Sequence, residues 1–317
     1  MNEPKLLTIL IPTYNRAKFI NRAIESCLNQ NRIALNIVVG NNNSTDTTAQ
    51  ILSTYEKNTN IQVINRPSNI GGINNISDLL YNHCHTKYCV VMSDDDYYTD
   101  PAYLSDSVKI LETYDTVGFV HGEIEYDHNN GITSRNIQRS LKKISTGYEF
   151  FINFGSKSHD YAYLMTVVFR TNLAKKNNFF SNPQLPHGDS LAWLKISTES
   201  DVAFIERTVA RYVMHGNNDI TSTDTNRWLD DICFINHAYA HAMENTNWDR
   251  KELNSWRQRQ RRTYCGKILR MLRQEPTWVG FAKKISQLQR DHHLTNDPIL
   301  IADTIKSFVS RAFKKRI

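Results

Sequence analysis

The sequence predicts an α/β fold in which helices cover a sheet of mainly parallel strands. Between residues 6 and 92, short apolar runs alternate with segments whose apolar residues recur at helical spacing. This alternation is typical of βαβ units, whose strands lie parallel. The fourth run ends at three consecutive carboxylates, Asp94, Asp95 and Asp96. Because open α/β sheets bind ligands beyond the carboxyl ends of their strands, we expect the chemistry at this edge.

Each predicted element follows from its local pattern. The early strands are short runs rich in β-branched residues, at Leu6–Pro12, Asn36–Gly40, Ile61–Asn65 and Tyr88–Met92. Helices between them are predicted to end near Asn29, after Tyr55 and near His83. Later strands are expected at Val117–Tyr126, Tyr161–Arg170, Val202–Ile205 and Val209–Met214. A helix is expected to follow Pro186–Asp189, and the chain after Asn226 is predicted to be helical.

The glycine pattern disfavours two common nucleotide-binding folds. No G-x-G-x-x-G follows the first strand and no G-x-x-x-x-G-K-[ST] occurs, so neither a dinucleotide-binding dehydrogenase nor a P-loop nucleotidase is indicated. The pair Gly71-Gly72 is explained equally well by a tight turn before a helix.

Composition indicates a globular, cytoplasmic protein of 317 residues. No apolar run approaches the ~20 residues that a membrane span needs, and the Leu6–Ile11 run lacks the flanks of a signal peptide. The five cysteines are odd in number and form no C-x-x-C, so we expect reduced thiols. The His83-Cys84-His85 run with Cys89 fits no common zinc spacing.

Charge is unevenly distributed along the chain. Residues 250–317 carry 17 Lys and Arg against 5 Asp and Glu, whereas the remainder carries 21 against 27. Together with the polar stretch Asn217–Thr225, this predicts one domain at 1–220 and a basic helical region at 221–317. The basic helices could lie on an anionic membrane surface, at the inner face of the cytoplasmic membrane, or pack on the first domain with a solvated basic face. No nucleic-acid-binding motif is present.

The three aspartates are candidate ligands of a divalent cation. Adjacent like charges repel unless something positive neutralises them, and carboxylate ligands favour a hard ion, Mg²⁺ or Mn²⁺. An acidic, solvated turn that caps the helix after Asp100-Pro101 is the alternative explanation.

Five segments in order resemble the inverting family 2 glycosyltransferases of the nucleotide-diphospho-sugar (GT-A) fold. They are Leu7–Arg16, Val38–Thr47, Asn69–Asn74, Ser93–Asp96 and His187–Asp189. The resemblance covers residues 5 to 220, and no family motif can be placed in the C-terminal third. It implies a GT-A type sheet flanked by helices, a nucleotide-sugar donor and a Mn²⁺ or Mg²⁺ cofactor.

The resemblance also implies the roles of individual residues. Asp189 would be the catalytic base, and Asp96, with Asp94 and His215, would hold the metal. The donor would be bound by Pro12, Thr13, Tyr14, Arg16, Asn41, Asn69, Gly72, Asn74, Asp94 and Asp95. Simpler interpretations stay open: core packing for Tyr14, a surface position for Arg16, a helix-dipole contact for Asp189 and an ordinary loop residue for His215.

Two positions depart from the family pattern. Ser93 stands where many relatives have the first aspartate, which leaves open which aspartate binds the metal. Asn41 stands where relatives often carry an aspartate that accepts a hydrogen bond from the base. Asparagine adds a donor, so the nucleotide is in doubt; UDP is the first expectation, with CDP, TDP and GDP open.

The resulting prediction is a metal-dependent inverting glycosyltransferase that acts on a glycan acceptor, expected to be lipid-linked, in bacterial surface polysaccharide synthesis such as capsule or O-antigen. A sugar nucleotidyltransferase is the enzymatic alternative, but it should carry a Gly-rich basic loop after the first strand. A catalytically inactive sugar-nucleotide-binding or scaffold protein is the alternative from another class.

Overall fold

A computed structural model describes most of the chain up to residue 272. The described residues are 4–128, 131, 133–136, 142–156, 162–181, 188–216, 218, 233–272, 277, 279–280, 282–283 and 286. The chain forms two compact units, one of residues 1–183 with 188–216 and one of residues 184–187 with 217–317. The domain division near residue 220 stays a prediction.

The first unit is built on a mixed sheet with ten described strands. These are β1 (Leu7–Thr13), β2 (Leu35–Asn41), β3 (Ile61–Asn65), β4 (Tyr88–Val91), β5 (Tyr97–Tyr98), β6 (Val117–His128), β7 (Thr133–Asn136), β8 (Ile144–Ser145), β9 (Val168–Arg170) and β10 (Asp201–Met214). Its helices are α1 (Ile20–Leu28), α2 (Thr48–Ser53), α3 (Gly72–Asp78), α4 (Tyr103–Thr113), α5 (Gly147–Asn153), α6 (Thr171–Lys176) and α7 (Gly188–Ser197). A π-helical turn, Leu79–His83, extends α3.

The strand order is β3-β2-β1-β4-β9-β6-β10-β5, with β7 beside β6 and β8 beside β10. The four strands β3, β2, β1 and β4 are parallel, as are β6 and β10. Strand β9 runs antiparallel to both β4 and β6 and joins the two halves. The predicted α/β fold is therefore confirmed, and the carboxyl ends of the first four strands meet at one edge.

Apolar burial explains why β1 and β4 are central. All of β4 and every residue of β1 except Pro12 are buried, as expected for parallel strands covered on both faces. Helix α1 buries Ile20, Ala23, Ile24 and Cys27 at helical spacing against this sheet.

Two strand predictions are wrong in detail. The segment predicted as a strand up to Arg170 contains a 3₁₀ turn at Leu164–Thr166, closed by hydrogen bonds such as Thr166 N to Tyr163 O (2.8 Å), and only its last three residues pair as β9. The two strands predicted at residues 202–214 form one strand, β10. Register shifts around Thr208 interrupt the alternation of inward and outward side chains along β10. In the sequence, this interruption looks like a turn between two strands.

The second unit contains two described helices, α8 (Cys233–Asn245) and α9 (Arg250–Leu272). Helix α9 buries Leu253, Trp256, Gln260 and Tyr264, which share one face. Tyr264 contacts Phe234 of α8, with 5.2 Å between ring centroids. Among the described helices, none combines the length and the apolar composition that a membrane span requires.

Candidate active site

The loop after β1 lies against the aspartates that follow β4. Tyr14 N donates to Asp94 Oδ2 over 3.3 Å. Arg16 Nε lies 3.4 Å from Asp94 Oδ1 and 4.0 Å from Asp95 Oδ2. The structure thus brings together four residues predicted for the donor site, Tyr14, Arg16, Asp94 and Asp95, from two neighbouring strands.

The turn after β2 holds the β1 loop in place through side chains. Asn15, at a positive φ of 53°, donates its N–H to Ser44 Oγ over 3.0 Å. Arg16 N donates to Thr48 Oγ1 (3.0 Å) and Ala17 N donates to Asp46 Oδ2 (3.2 Å). Burial of Asp46 acts against these hydrogen bonds, but the net effect lowers its pKa. The Ser44–Thr48 turn therefore fixes the backbone amides of the loop.

Asp96 is the most buried of the three aspartates, with 1% of its surface exposed. Its Oδ1 accepts a hydrogen bond from Val213 N of β10 over 2.9 Å. Its Oδ2 is buried, and among the described residues it has no hydrogen-bond partner. Burial, followed by the neighbouring charge of Asp95, raises the pKa of Asp96 well above its usual value. An ionised Asp96 therefore needs a positive charge that the described protein atoms do not supply.

Asp94 also lies in a site that disfavours its charged form. Burial, and then repulsion by Asp95, raises the pKa of Asp94 to about 7, although Arg16 acts in the opposite direction. Near neutral pH this carboxyl group is therefore poised between its two protonation states.

His215 pairs with Asp95. Its Nε2 lies 2.9 Å from Asp95 Oδ2, and its ring stacks on Phe19 with 4.7 Å between centroids. The family resemblance implies that His215 would bind a metal together with Asp96 and Asp94. The described contact joins His215 to Asp95 instead, and the ligand role stays a prediction.

The residues fit a hard divalent cation. The described residues contain no group of three or more His, Cys, Asp and Glu side chains arranged to hold a metal ion. Mg²⁺ commonly binds through one or two carboxylates and completes its coordination with water and substrate phosphates. The buried Asp96 Oδ2, which has no hydrogen-bond partner among the described residues, and the carboxyl group of Asp94, two residues earlier, supply donors of this kind.

Asparagine side chains join the ends of β2 and β3. Asn41 is buried; its Nδ2 donates to Asn65 Oδ1 (2.9 Å) and its Oδ1 accepts from Ser44 N (3.2 Å). Asn42 bonds in the same way to Asn69, over 2.8 Å. Both polar atoms of Asn41 are therefore engaged within the chain.

The remaining predicted donor residues border this edge. Pro12 and Thr13 end β1 beside Gly40 and Asn41, and Tyr14 is 40% exposed. Gly72 begins α3, and Asn74 Nδ2 donates to Ile70 O (2.8 Å). At 40% exposure Tyr14 is not a buried core residue, and its role in the donor site stays a prediction.

Asp189 lies in the first turn of α7. Its Oδ1 accepts a hydrogen bond from Ser190 N over 2.7 Å, which is the local contact expected of an acidic residue at a helix start. Its role as the base stays a prediction.

Sequence reasoning missed a polar cluster beside the aspartates. The Arg22 guanidinium lies 4.1 Å from the centre of the Tyr97 ring, and Arg22 Nη2 donates to Asp95 O over 3.4 Å. The Tyr97 hydroxyl donates to Asp127 Oδ2 (2.9 Å) and accepts from Arg211 Nη1 (3.2 Å). No motif signals this cluster, because its members come from α1, β5, β6 and β10. They meet through the pairing of β5 and β6 with β10 and through the position of α1, whose Arg22 lies over the Tyr97 ring.

The chain has relatives among characterised glycosyltransferases. It is 27% identical over 151 residues to hyaluronan synthase of Pasteurella multocida, covering 47% of this chain and 14% of that protein. It is 24% identical over 211 residues to the poly(ribitol-phosphate) β-N-acetylglucosaminyltransferase TarS of Staphylococcus aureus, covering 63% and 35%. Over 113 residues it is 31% identical to abequosyltransferase RfbV of Salmonella typhimurium, covering 34% and 32%. The chain thus spans about a third or less of these relatives.

Solved structures share the fold. Residues 1–349 of S. aureus TarS superpose with a TM-score of 0.61 at 15% identity, covering 96% of this chain and 80% of that one. The mannosyltransferase PcManGT of Pyrobaculum calidifontis, in complex with GDP-Man and Mn²⁺, superposes with a TM-score of 0.57 at 14% identity, covering 98% and 86%. The predicted GT-A type fold is confirmed.

A sequence profile described as glycosyl transferase family 2 matches residues 8–173, from β1 into α6. The match includes the β1 loop, the Ser44–Thr48 turn, Asn69–Asn74 and the three aspartates, whereas His187–Asp189, the fifth segment of the resemblance, lies outside it. Since it spans more than half of the 317 residues, the chain belongs to glycosyl transferase family 2.

Proposed function

We propose that this chain transfers a sugar from a nucleoside diphosphate sugar to a hydroxyl group of a glycan acceptor, with inversion at the anomeric carbon. The observation that carries the proposal is the contact between the β1 loop and the aspartates after β4, in a chain of family 2. The catalytic domain would comprise residues 1–220.

A divalent cation, Mn²⁺ or Mg²⁺, would be held by Asp96 and Asp94. His215, which contacts the neighbouring Asp95, would be the third ligand. When bound, the cation would neutralise the negative charge that develops on the departing diphosphate. Two observations support this assignment: Asp96 Oδ2 has no hydrogen-bond partner among the described residues, and the pKa of Asp94 is raised even though Arg16 lies beside it. Arg16 would add a fixed positive charge near the phosphates.

Asp189 is the base that we propose for the transfer. The acceptor hydroxyl would give its proton to the Asp189 carboxylate while its oxygen forms the new bond to the anomeric carbon. The bond from that carbon to the β-phosphate oxygen breaks on the opposite face, and the nucleoside diphosphate leaves with the electron pair. Tyr14, exposed on the β1 loop, would stack on the nucleobase.

The donor class is supported by the solved relatives. TarS has been crystallised with UDP-GlcNAc and PcManGT with GDP-Man and Mn²⁺. A uridine donor is the expectation that the family resemblance implies for this chain, with the cytidine, guanosine and thymidine donors as alternatives. Because Asn41 stands where relatives often have aspartate, the identity of the nucleobase depends on the contacts around Asn41.

The acceptor that we propose is a lipid-linked glycan of the bacterial surface. The names of the relatives support polysaccharide synthesis, since they include a hyaluronan synthase, a poly(ribitol-phosphate) glycosyltransferase and an abequosyltransferase. The basic region after residue 220, including α9, would contact anionic lipid at the inner face of the cytoplasmic membrane.

Donor hydrolysis tests the proposed function without knowledge of the acceptor. UDP-, CDP-, GDP- and TDP-sugars are incubated with the protein, with and without Mn²⁺, and release of the nucleoside diphosphate is followed. We expect release from one nucleotide class that needs Mn²⁺ and is lost in Asp96→Ala. An Asp115→Asn control removes an exposed carboxylate outside the site and should retain the activity. Nucleotide binding without turnover, with or without added glycan acceptors, would instead indicate an inactive sugar-nucleotide-binding protein.

A further inference from the structure

Two asparagines at the end of β2 are each held in one amide orientation by a backbone N–H group. Ser44 N donates to Asn41 Oδ1 (3.2 Å) and Ile70 N donates to Asn42 Oδ1 (2.9 Å). A backbone N–H can only donate, so the atom that it contacts must be the amide oxygen. The Nδ2 groups of Asn41 and Asn42 must therefore point the other way, toward Asn65 and Asn69.

The amide orientations of Asn41 and Asn42 in turn fix those of two exposed side chains, Asn65 and Asn69. Asn65 Oδ1 accepts a hydrogen bond from Asn41 Nδ2. Asn69 Oδ1 accepts from both Asn42 Nδ2 and Gly71 N (2.8 Å). The amide oxygens of Asn65 and Asn69 thus face the protein. Their Nδ2 groups have no partner among the described residues, and both side chains are exposed. The edge formed by β2 and β3 therefore presents hydrogen-bond donors.

The position of this edge fits the base of a bound nucleotide. In the sheet β4 is followed by β1, β2 and β3, and neighbouring strands lie ~4.8 Å apart. The end of β2 is thus ~10 Å and that of β3 ~14 Å from the end of β4. A nucleoside diphosphate whose phosphates lie at the aspartates after β4 has a base at comparable reach.

We infer that Asn41, acting through Asn65, sets the nucleobase preference of the donor site in favour of cytosine. The inference rests on the proposed function and refines it. Asn65 Nδ2 would donate to the ring nitrogen N3 of cytosine, which is an acceptor. Uracil, thymine and guanine carry an N–H at the corresponding ring position, so that two donors would face each other and neither would be satisfied. This departs from the uridine donor expected from the resemblance.

The substitution Asn41→Asp would change the outward group of Asn65 from a hydrogen-bond donor to an acceptor. The introduced carboxylate would accept from Ser44 N with one oxygen and would require a donor from Asn65 at the other. The Asn65 amide would then turn, direct its Nδ2 to that carboxylate and present its Oδ1 outward. An outward acceptor suits the N–H of uracil. Residue 41 is therefore a positioning residue that acts on the base through Asn65.

Calorimetric binding of CDP and UDP, each with Mn²⁺, tests the inference on the whole chain. The native protein is expected to bind CDP about tenfold more tightly than UDP, the scale of one unmet hydrogen bond. Asn41→Asp should equalise or invert that ratio, and so should Asn65→Asp, which is exposed and places a carboxylate oxygen outward. The control Asn60→Asp makes the same change at an exposed residue just before β3, at its opposite end, and should leave the ratio unchanged.

The outcomes separate the inference from the proposed function. Tighter UDP binding by the native protein, or a ratio that both variants leave unchanged, would overturn the inference while the nucleotide site stands. Absence of binding by every nucleoside diphosphate would overturn the proposed function together with the inference. Melting temperatures of the variants, compared with that of Asn60→Asp, would identify any change caused by loss of folding.

Discussion

At the scale of single residues, Asp94 and Asp96 are acidic side chains in places where their charged forms are costly. Burial disfavours the carboxylates, and Asp95 adds a like charge beside both. Arg16 and the Val213 N–H compensate only in part. Such an arrangement lowers folding stability in the absence of a positive charge, and the proposed cation would supply that charge.

The metal-free protein should therefore be stabilised by Asp94→Asn at high pH. Asp94 ionises near 3.8 in the unfolded chain and at about 7 in the folded one. Between these values the folded state binds more protons, so ionisation of Asp94 lowers the free energy of unfolding as the pH rises. Relative to the native protein, the variant should gain on the order of 4 kcal/mol at pH 8 and little at pH 4.

Denaturant unfolding at the two pH values measures this difference, with chelator present. Asp115→Asn, which neutralises an exposed carboxylate, should show no such pH dependence. An Asp94→Asn gain that is the same at pH 4 and pH 8 would show that Asp94 is ionised normally in the folded protein.

The sequence could identify the aspartates, Tyr14 and Arg16 because they lie in short motifs at strand ends. It could not identify the partners that give the site its electrostatics. Val213, whose N–H bonds Asp96, lies 117 residues away, and although His215 was predicted at the site, its pairing with Asp95, 120 residues away, was not. Such contacts depend on the pairing of β10 with β5 and β6, for which no local pattern exists.

At the scale of elements, helix α5 illustrates what can be overlooked in a sequence. Its start carries a capping box, in which Glu149 N donates to Thr146 Oγ1 (3.2 Å) and Thr146 N donates to Glu149 Oε2 (3.1 Å). The signal of a Ser or Thr followed three residues later by Glu is recognisable in a sequence. It was missed because α5 has only seven residues, too few for a helical period to stand out.

Gly147, the first residue of α5, should not tolerate a side chain. A Cβ atom at this position would overlap the backbone carbonyl oxygens of Ser197 and Ser200, near the end of α7. Backbone cannot rotate away as a side chain can, so we expect Gly147→Ala to lower the free energy of unfolding by about 3 kcal/mol. Gly266→Ala is the matched control, because nothing lies within 4 Å of the position that its Cβ would take and it lies inside helix α9.

The control should be neutral or stabilising, since alanine is the better helix former. Thermal unfolding of the two variants measures the contrast. Equal midpoints for Gly147→Ala and the native protein would mean that α5 and α7 are not packed as closely as described.

At the scale of the whole molecule, charge separates the two parts of the chain. The basic excess lies after Arg250, whereas the rest of the sequence is mildly acidic. Within α9, the buried face of Leu253, Trp256, Gln260 and Tyr264 leaves Arg259 and Arg262 exposed. An exposed cationic surface of this kind attracts anionic lipid with an affinity that falls as salt rises.

Flotation with vesicles that contain anionic lipid tests this surface. We expect the protein to float with anionic vesicles at low salt and to be released at high salt. The double variant Arg259→Glu, Arg262→Glu should float markedly less. The matched variant Lys18→Glu, Lys57→Glu, which reverses two exposed charges in the first unit, should float like the native protein. Binding to neutral vesicles, or equal flotation of the native protein and the Arg259→Glu, Arg262→Glu variant, would contradict an electrostatic membrane contact.

The fold class was predictable because alternating strands and helices leave a strong periodic signal from β1 to β4. The second half of the sheet was predicted less well. Strand β9 is three residues long, and β10 shifts register around Thr208, so both depart from the regular alternation that identifies strands. Their places are set by pairing with β4 and β6 rather than by their own sequences.

Electron paramagnetic resonance of Mn²⁺ tests whether Asp96 binds a divalent cation together with the donor diphosphate. Titrations with and without CDP or UDP report the free Mn²⁺ that remains. We predict that the native protein and Asp115→Asn take up Mn²⁺ more tightly when nucleotide is present. Asp96→Asn, which keeps the side-chain size but loses the charge, should show no such uptake. Undiminished Mn²⁺ binding by Asp96→Asn would show that Asp96 does not hold the cation.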